Sequence, residues 1–182
     1  ADPADSDGPS KYFAPKLYTG VGGSTLAITG LNFQPDFTWI KNRDASDAHM
    51  LFDSTRGVAN PIHSDDGAVQ AEDADTLKSW TSDGFTVGAD VKTNTDTEKY
   101  VSWNWRVNGG TTTANTTGDT ASVTQVDPSG SFSIVTYTGF SGSDGDSTVG
   151  HGMSIAPQLI IHVSRTRDAG RWTQSITTAN AS

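Results

Sequence analysis

FQPDFTWIKNR, residues 33–43, begins with an apolar residue, a spacer and a proline, alternates through a short apolar run, and ends on Arg43. IAPQLIIHVSR, residues 155–165, follows the same outline. With Pro35 set on Pro157, Phe33 meets Ile155, Phe37 meets Leu159, Trp39 meets Ile161, Arg43 meets Arg165 and Gly30 meets Gly152, all at an offset of 122. Upstream, Tyr18-Thr19-Gly20 meets Tyr137-Thr138-Gly139 at an offset of 119, so the second copy carries three extra residues in its intervening loop. The positions kept are apolar strand positions, turn glycines and a proline of the kind tolerated at the start of a strand. The polar tips differ between the copies. A repeat that keeps scaffold and varies its tips predicts two pseudo-symmetric parts of one sandwich, spanning about residues 17–57 and 135–176. Any binding by the first copy then belongs to residues the second lacks: Asp36, Trp39 and Lys41.

Working outward, the same alternation recurs. Tyr100 to Arg106 places Val101, Trp103 and Trp105 on one face and Ser102, Asn104 and Arg106 on the other. The bulky face is the expected core side. Ser131 to Tyr137 reads as a further strand, and Phe85-Thr86-Val87 as a short one between glycines. Breakers such as Asn60-Pro61, Asp83-Gly84, Asn108-Gly109-Gly110 and Asp127-Pro128 separate these runs. One segment, Gly67 to Trp80, contains enough helix formers for a short helix to compete with strand. The expected fold is all-β, an antiparallel sandwich of jelly-roll or concanavalin-like type with little helix. Residues 1–11 form an Asp-rich flexible or docking arm, and residues 12–182 a single sandwich domain.

Composition agrees. The acidic residues are nearly all Asp, with Glu only at positions 72 and 98, and Ser, Thr and Gly are abundant. These residues favour turns and strand ends over helix interiors. The 182 residues suffice for a core without staples, and the chain contains no Cys. Its formal net charge of −9 disfavours nucleic acid as a partner, and no run of about 18 apolar residues predicts membrane insertion.

The motifs KLYTG, ITGLNFQPDFTWIKNRD, LFDSTRGV, SDGFTVG, YVSWNWR, FSIVTYTG and TVGHGMSIAPQLII follow one another between about residues 12 and 172. In this order they resemble a β-sandwich module that recurs in tail-fibre and other virion structural proteins of marine bacteriophages, cyanophages among them. The resemblance implies a concanavalin-like sandwich, a location in the virion and hence outside the cell, other virion proteins as partners, and no assigned catalytic residue. The expected function is a non-enzymatic tail-fibre or receptor-binding module, homo-oligomeric with a trimer favoured, that contacts the host surface through glycan or protein. A capsid decoration or cement protein and a secreted carbohydrate-binding module are the alternatives.

The residues themselves offer few catalytic constellations. The four histidines show no metal-ligand spacing, and no Gly-x-Ser-x-Gly elbow occurs. Trp80 and Trp172 are the candidate exposed platforms for a sugar ring, and His151, between two glycines, a candidate ligand contact. Asp144 and Asp146 resemble a fragment of a calcium loop and are the candidate metal ligands; no other cofactor is expected. Asp53 and Arg56, three apart around a turn, form an expected structural clamp. Arg43 and Arg165, at strand ends, are expected to pair with nearby carboxylates.

Overall fold

The computed structural model describes residues 8–139, 147–166 and, for the backbone, 173–176. The first part of the chain forms β1 (Phe13–Thr19), β2 (Leu26–Ile28), β3 (Phe37–Asn42), β4 (Met50–Asp53), β5 (Leu77–Thr81), β6 (Gly84–Val87), the single-turn helix α1 (Val91–Asn94) and β7 (Lys99–Trp105). These strands make two antiparallel sheets, ordered β1-β7-β3-β4 and β2-β6-β5. Between them lies the core: Ile28, Phe85, Val87 and Leu77 from one sheet, Ile40, Met50, Phe52 and Tyr100 from the other, closed by Leu31 and Phe33. The fold is all-β and sandwich-like, as the alternation and the turn signals predicted.

The remaining strands are β8 (Thr113–Asn115), β9 (Ser122–Val126), β10 (Ser133–Tyr137), β11 (Leu159–His162) and β12 (Thr173–Ile176). They form a β10-β9-β8 sheet and a β11-β12 hairpin. The two repeated segments occupy corresponding strands, Tyr18 in β1 and Tyr137 in β10, Phe37 in β3 and Leu159 in β11.

Two expectations are corrected. No helix forms over residues 67–80; the Asp73 carbonyl accepts from the Thr76 backbone N–H and Oγ1, closing a turn that delivers Leu77 into β5. The helix former Leu77 is worth more buried against β6 than in an isolated turn. The faces of β7 are also reversed from the size-based expectation. Tyr100, Ser102 and Asn104 point into the sandwich and are fully buried, while Val101, Trp103 and Trp105 point out and are half-buried. The polar inner face is tolerated because its groups are satisfied: Asn104 Nδ2 donates to the Ala14 carbonyl at 2.9 Å and to Ser102 Oγ at 2.9 Å, and Asn104 Oδ1 accepts from Thr38 Oγ1 at 3.1 Å.

Hydrogen bonds set the spacing of the ends. Asp83, in the loop between β5 and β6, accepts from the Gly30 N–H at 2.9 Å and the Asn32 N–H at 2.7 Å. These bonds hold its carboxyl below the ordinary carboxylate range. Asn94 Nδ2 donates to the Ser24 and Gly88 carbonyls and its Oδ1 accepts from Val21, tying α1 to the loop after β1. Among the described residues no helix is long and apolar enough to cross a membrane.

Candidate functional site

A β-strand shows alternate side chains to opposite faces, so burying Thr38, Ile40 and Asn42 forces Phe37, Trp39 and Lys41 outward. The registers then line up rows across the outer face of the four-stranded sheet. Phe13, Trp105 and Phe37 share one row, and Pro15, Trp103 and Trp39 the next. Ring centroids lie 4.9 Å apart for Phe13 and Trp105, 5.3 Å for Phe37 and Trp105, and 6.0 Å for Trp39 and Trp103. Such spacings fall in the favourable range for tilted aromatic pairs. One end of the face is bounded by His49, whose Nδ1 accepts from Trp39 Nε1 at 2.8 Å, and another by Phe132, 6.3 Å from Phe37. Phe13 and Leu17 on its rim are exposed. Within the described residues the indole N–H groups of Trp103 and Trp105 have no hydrogen-bond partner, and neither is buried. The result is an apolar platform with polar donors at ring edges, the combination that packs on the C–H face of a sugar while bonding its hydroxyls.

Of the residues that separate the first copy from its echo, only Trp39 belongs to this platform. Lys41 Nζ is taken up by the Asn42 and Ala45 carbonyls. Asp36 is fully buried and structural. Its Oδ1 accepts from Ser54 Oγ at 2.7 Å and Gly110 N at 2.8 Å, and its Oδ2 from Val107 N at 2.7 Å and Gly109 N at 2.9 Å. Gly109 and Gly110 have φ of 59° and 80°, the left-handed region that turns successive N–H groups into an anion-holding nest. Gln125 of β9, also buried, accepts from Gly110 N at 2.7 Å and donates to Ser54 and Thr55, joining the two parts of the chain at this point.

The predicted site residues are not gathered in one place. Trp80 is half-buried and packs against the core, with its Nε1 buried and unpartnered among the described residues; its ring faces the interior rather than a ligand. Trp172, Asp144 and Asp146 lie outside the described residues. His151 is half-buried beside a shallow groove of about 470 Å³ lined also by Asn115, Thr117, Gly118 and Thr148. Its Nδ1 accepts from Met153 N at 3.1 Å, which leaves Nε2 as its remaining polar edge. Asp119 fixes the groove wall by accepting from Thr148 Oγ1 at 2.6 Å and Thr148 N at 3.1 Å, bonds that lower its carboxyl below the ordinary range. Among the described residues no group of three or more His, Asp or Glu is placed to hold a metal ion.

The Asp53–Arg56 clamp is present and buried. Arg56 Nε donates to Asp53 Oδ2, Nη1 to the Asn60 carbonyl at 2.7 Å and to Gln70 Oε1 at 3.0 Å, and Nη2 to the Leu51 carbonyl at 3.3 Å. Among the described residues the expected pairing of the strand-end arginines is not seen. Arg43 is exposed and its neighbour Asp44 is engaged instead by Lys99, through the backbone N–H at 2.9 Å and Nζ at 3.9 Å. Arg165 is half-buried, has no carboxylate partner among the described residues, and contributes its carbonyl to Gln70 N.

The platform and the Asp36 hub were missed by sequence reading. The signal for the first was the pair of alternating runs Phe37–Trp39 and Val101–Trp105, the second of them read with the wrong face inward. The signal for the second was Asn108-Gly109-Gly110, a source of unpaired N–H groups in need of an acceptor.

Residues 8–182 match the family described as Domain of unknown function (DUF7483). Comparison with the curated proteins and with the solved structures returns no match. The match covers nearly the whole chain, and the protein belongs to that family.

Proposed function

We propose that this family member is a non-enzymatic contact module of a virion, of the tail-fibre kind its motifs resemble, and that it meets host surface glycan with the Trp39–Trp103–Trp105 face. The observation that carries the reading is the platform itself: two rows of packed rings, half-open to solvent, with free indole donors at Trp103 and Trp105. Half-buried rings with Phe13 and Leu17 exposed at their rim make this face a candidate for contact. The resemblance supports the virion setting and carries with it a homotrimer, with other virion proteins as neighbours.

The test is a bacterial surface-glycan array probed with the intact chain and with Trp103→Ala and Trp172→Ala. The expected result is binding that Trp103→Ala weakens roughly tenfold or more without lowering thermal stability by more than a few degrees. No binding to any glycan by a well-folded chain removes the glycan reading, and release of sugar from any polysaccharide removes the non-enzymatic one. Labelling the protein in intact particles separates a fibre position from a capsid shell.

A further inference from the structure

The outer face of the four-stranded sheet does not stop at its aromatic rows. The same registers carry it on through Leu17, Val101 and Lys41 to Thr19, Lys99 and Arg43. The last step lies one residue past β3, where the Arg43 N–H still donates to the Lys99 carbonyl at 2.7 Å. Outward positions of a strand alternate with buried ones, and Lys41 and Lys99 fall in the outward sets of β3 and β7. From Phe37 to Arg43 the face runs about 20 Å, aromatic at one end and cationic at the other.

That charge is out of keeping with the chain. Asp and Glu outnumber Lys and Arg by 21 to 12, yet none of the outward positions of β1, β7 and β3 is acidic. The nearby carboxylates mostly face elsewhere. Asp47 and Glu98 accept from Asn42 Nδ2 at 2.8 and 2.6 Å, on the buried side of the sheet. Asp65 accepts from the His49 N–H at 2.9 Å, and Asp96 lies against Gly22 in the loop after β1. Asp44 binds the Lys99 backbone N–H at 2.9 Å and stands 3.9 Å from its Nζ, a separation worth little between exposed groups. Lys41 Nζ is held by the Asn42 and Ala45 carbonyls, which keeps its charge in the turn that carries Arg43. Arg43 and the Lys99 side chain, 63% exposed, are left to meet solvent.

Resting on the glycan reading above, we propose that the ligand of this face is an acidic heteropolysaccharide in which a uronate sugar adjoins neutral ones. Neutral rings stack their C–H faces on Trp103 and Trp105. The uronate carboxylate is met at the other end by Arg43, whose forked donors match a carboxylate, with Lys99 and Lys41 adding charge. A chain charged at every sugar would lay anions over the Trp rows, where no outward cation answers them. A wholly neutral chain would leave the cationic end unanswered. The net charge of −9 repels polyanions from the rest of the surface, which confines the match to this end.

The probes are bacterial capsular polysaccharides with a single uronate per repeat, each beside its carboxyl-reduced form, with dextran sulfate and oligothymidylate as general polyanions. All are titrated onto the intact chain. The expected result is uronate chains bound roughly tenfold more tightly than their reduced forms at about 10 mM salt, a ratio that shrinks severalfold at about 150 mM. Arg43→Gln with Lys99→Gln brings that ratio close to unity; both side chains are exposed, and a melting curve checks that the fold is kept. Trp103→Ala weakens both forms. Equal affinity for the two forms, or a ratio indifferent to the double substitution, overturns the proposal and leaves the glycan reading standing. Absence of binding to any polysaccharide removes both. Dextran sulfate or oligothymidylate bound more tightly than every uronate chain overturns it by showing a general polyanion surface. Self-association of the free chain that the double substitution abolishes overturns it by making a second copy the occupant.

Discussion

Replacing Asp36 should unfasten the chain at the point where its two parts meet. The carboxylate is fully buried and accepts four hydrogen bonds, two per oxygen, at 2.7–2.9 Å. Bonds to a charged acceptor contribute about 1.5–3 kcal/mol each, and leaving a buried donor unpaired costs a further share of that. Asp36→Asn has one tolerable arrangement. The amide nitrogen takes the Oδ1 place, where Ser54 Oγ can reverse and accept, and only the Gly110 N–H is left facing a donor; Gly110 keeps its second acceptor in Gln125 Oε1. That arrangement loses one bond and the charge on the others, a cost of about 2–3 kcal/mol. Asp36→Ala removes all four acceptors at once and costs about 4 kcal/mol or more, at the upper end of single-residue effects. With a urea slope of about 1–3 kcal/mol/M, the Asn variant should move the unfolding midpoint down by roughly 1–2 M and the Ala variant further. Equilibrium urea unfolding followed by tryptophan fluorescence reads both. An Asp36→Asn midpoint within error of the parent, or an Ala variant no worse than Asn, would refute the assignment of Asp36 as the structural hub.

Other outcomes follow from the same geometry. Arg56→Lys keeps the charge beside Asp53 but cannot reach Asn60, Gln70 and Leu51 together; a loss of about 2–4 kcal/mol in urea unfolding is expected, and a loss under 0.5 kcal/mol would show the fork to be dispensable. Gly84→Ala puts a Cβ 1.9 Å from the Ile28 carbonyl oxygen, so it should break the β2–β6 pairing and lower the melting temperature by several degrees or more; an unchanged melting temperature would mean the two strands part at no cost. The Tyr18 hydroxyl donates to the Thr93 carbonyl at 2.9 Å, and burial, helped by the neighbouring Tyr100, pushes its ionisation well above the ordinary value. The unfolded chain therefore ionises first. Tyr18's contribution is fully present below about pH 10 and is lost, at up to about 1.4 kcal/mol per pH unit, as pH rises toward the folded value. Tyr18→Phe should flatten part of that alkaline fall in unfolding free energy, and an identical pH profile would argue against it.

The all-β architecture was legible because alternation and turn chemistry agreed over the same segments. Phe37 to Asn42 and Lys99 to Trp105 read as strands and are strands. What alternation cannot say is which face is inside, and bulk alone pointed the wrong way at β7. Ser102 and Asn104 are buried because Thr38 and the Ala14 carbonyl complete their hydrogen bonds, partners far away in sequence. The Asp53–Arg56 clamp was visible because it is local, three residues around a turn. Asp36 was not, because its four donors come from Ser54 and from a turn about 71–74 residues downstream. Trp80 was misplaced for a similar reason: its exposure depends on the edge of a core built from strands on both sheets.

The direct test of the central claim is an indole N–H NMR titration of the intact chain with bacterial surface polysaccharide. Trp103 and Trp105 carry free N–H donors on the outer face, Trp39 is held by His49, and Trp80 points inward. The account predicts saturable shifts of the Trp103 and Trp105 signals, a smaller one for Trp39, and none for Trp80. Binding that moves Trp80, or that leaves the Trp103 and Trp105 signals where they are, would contradict it.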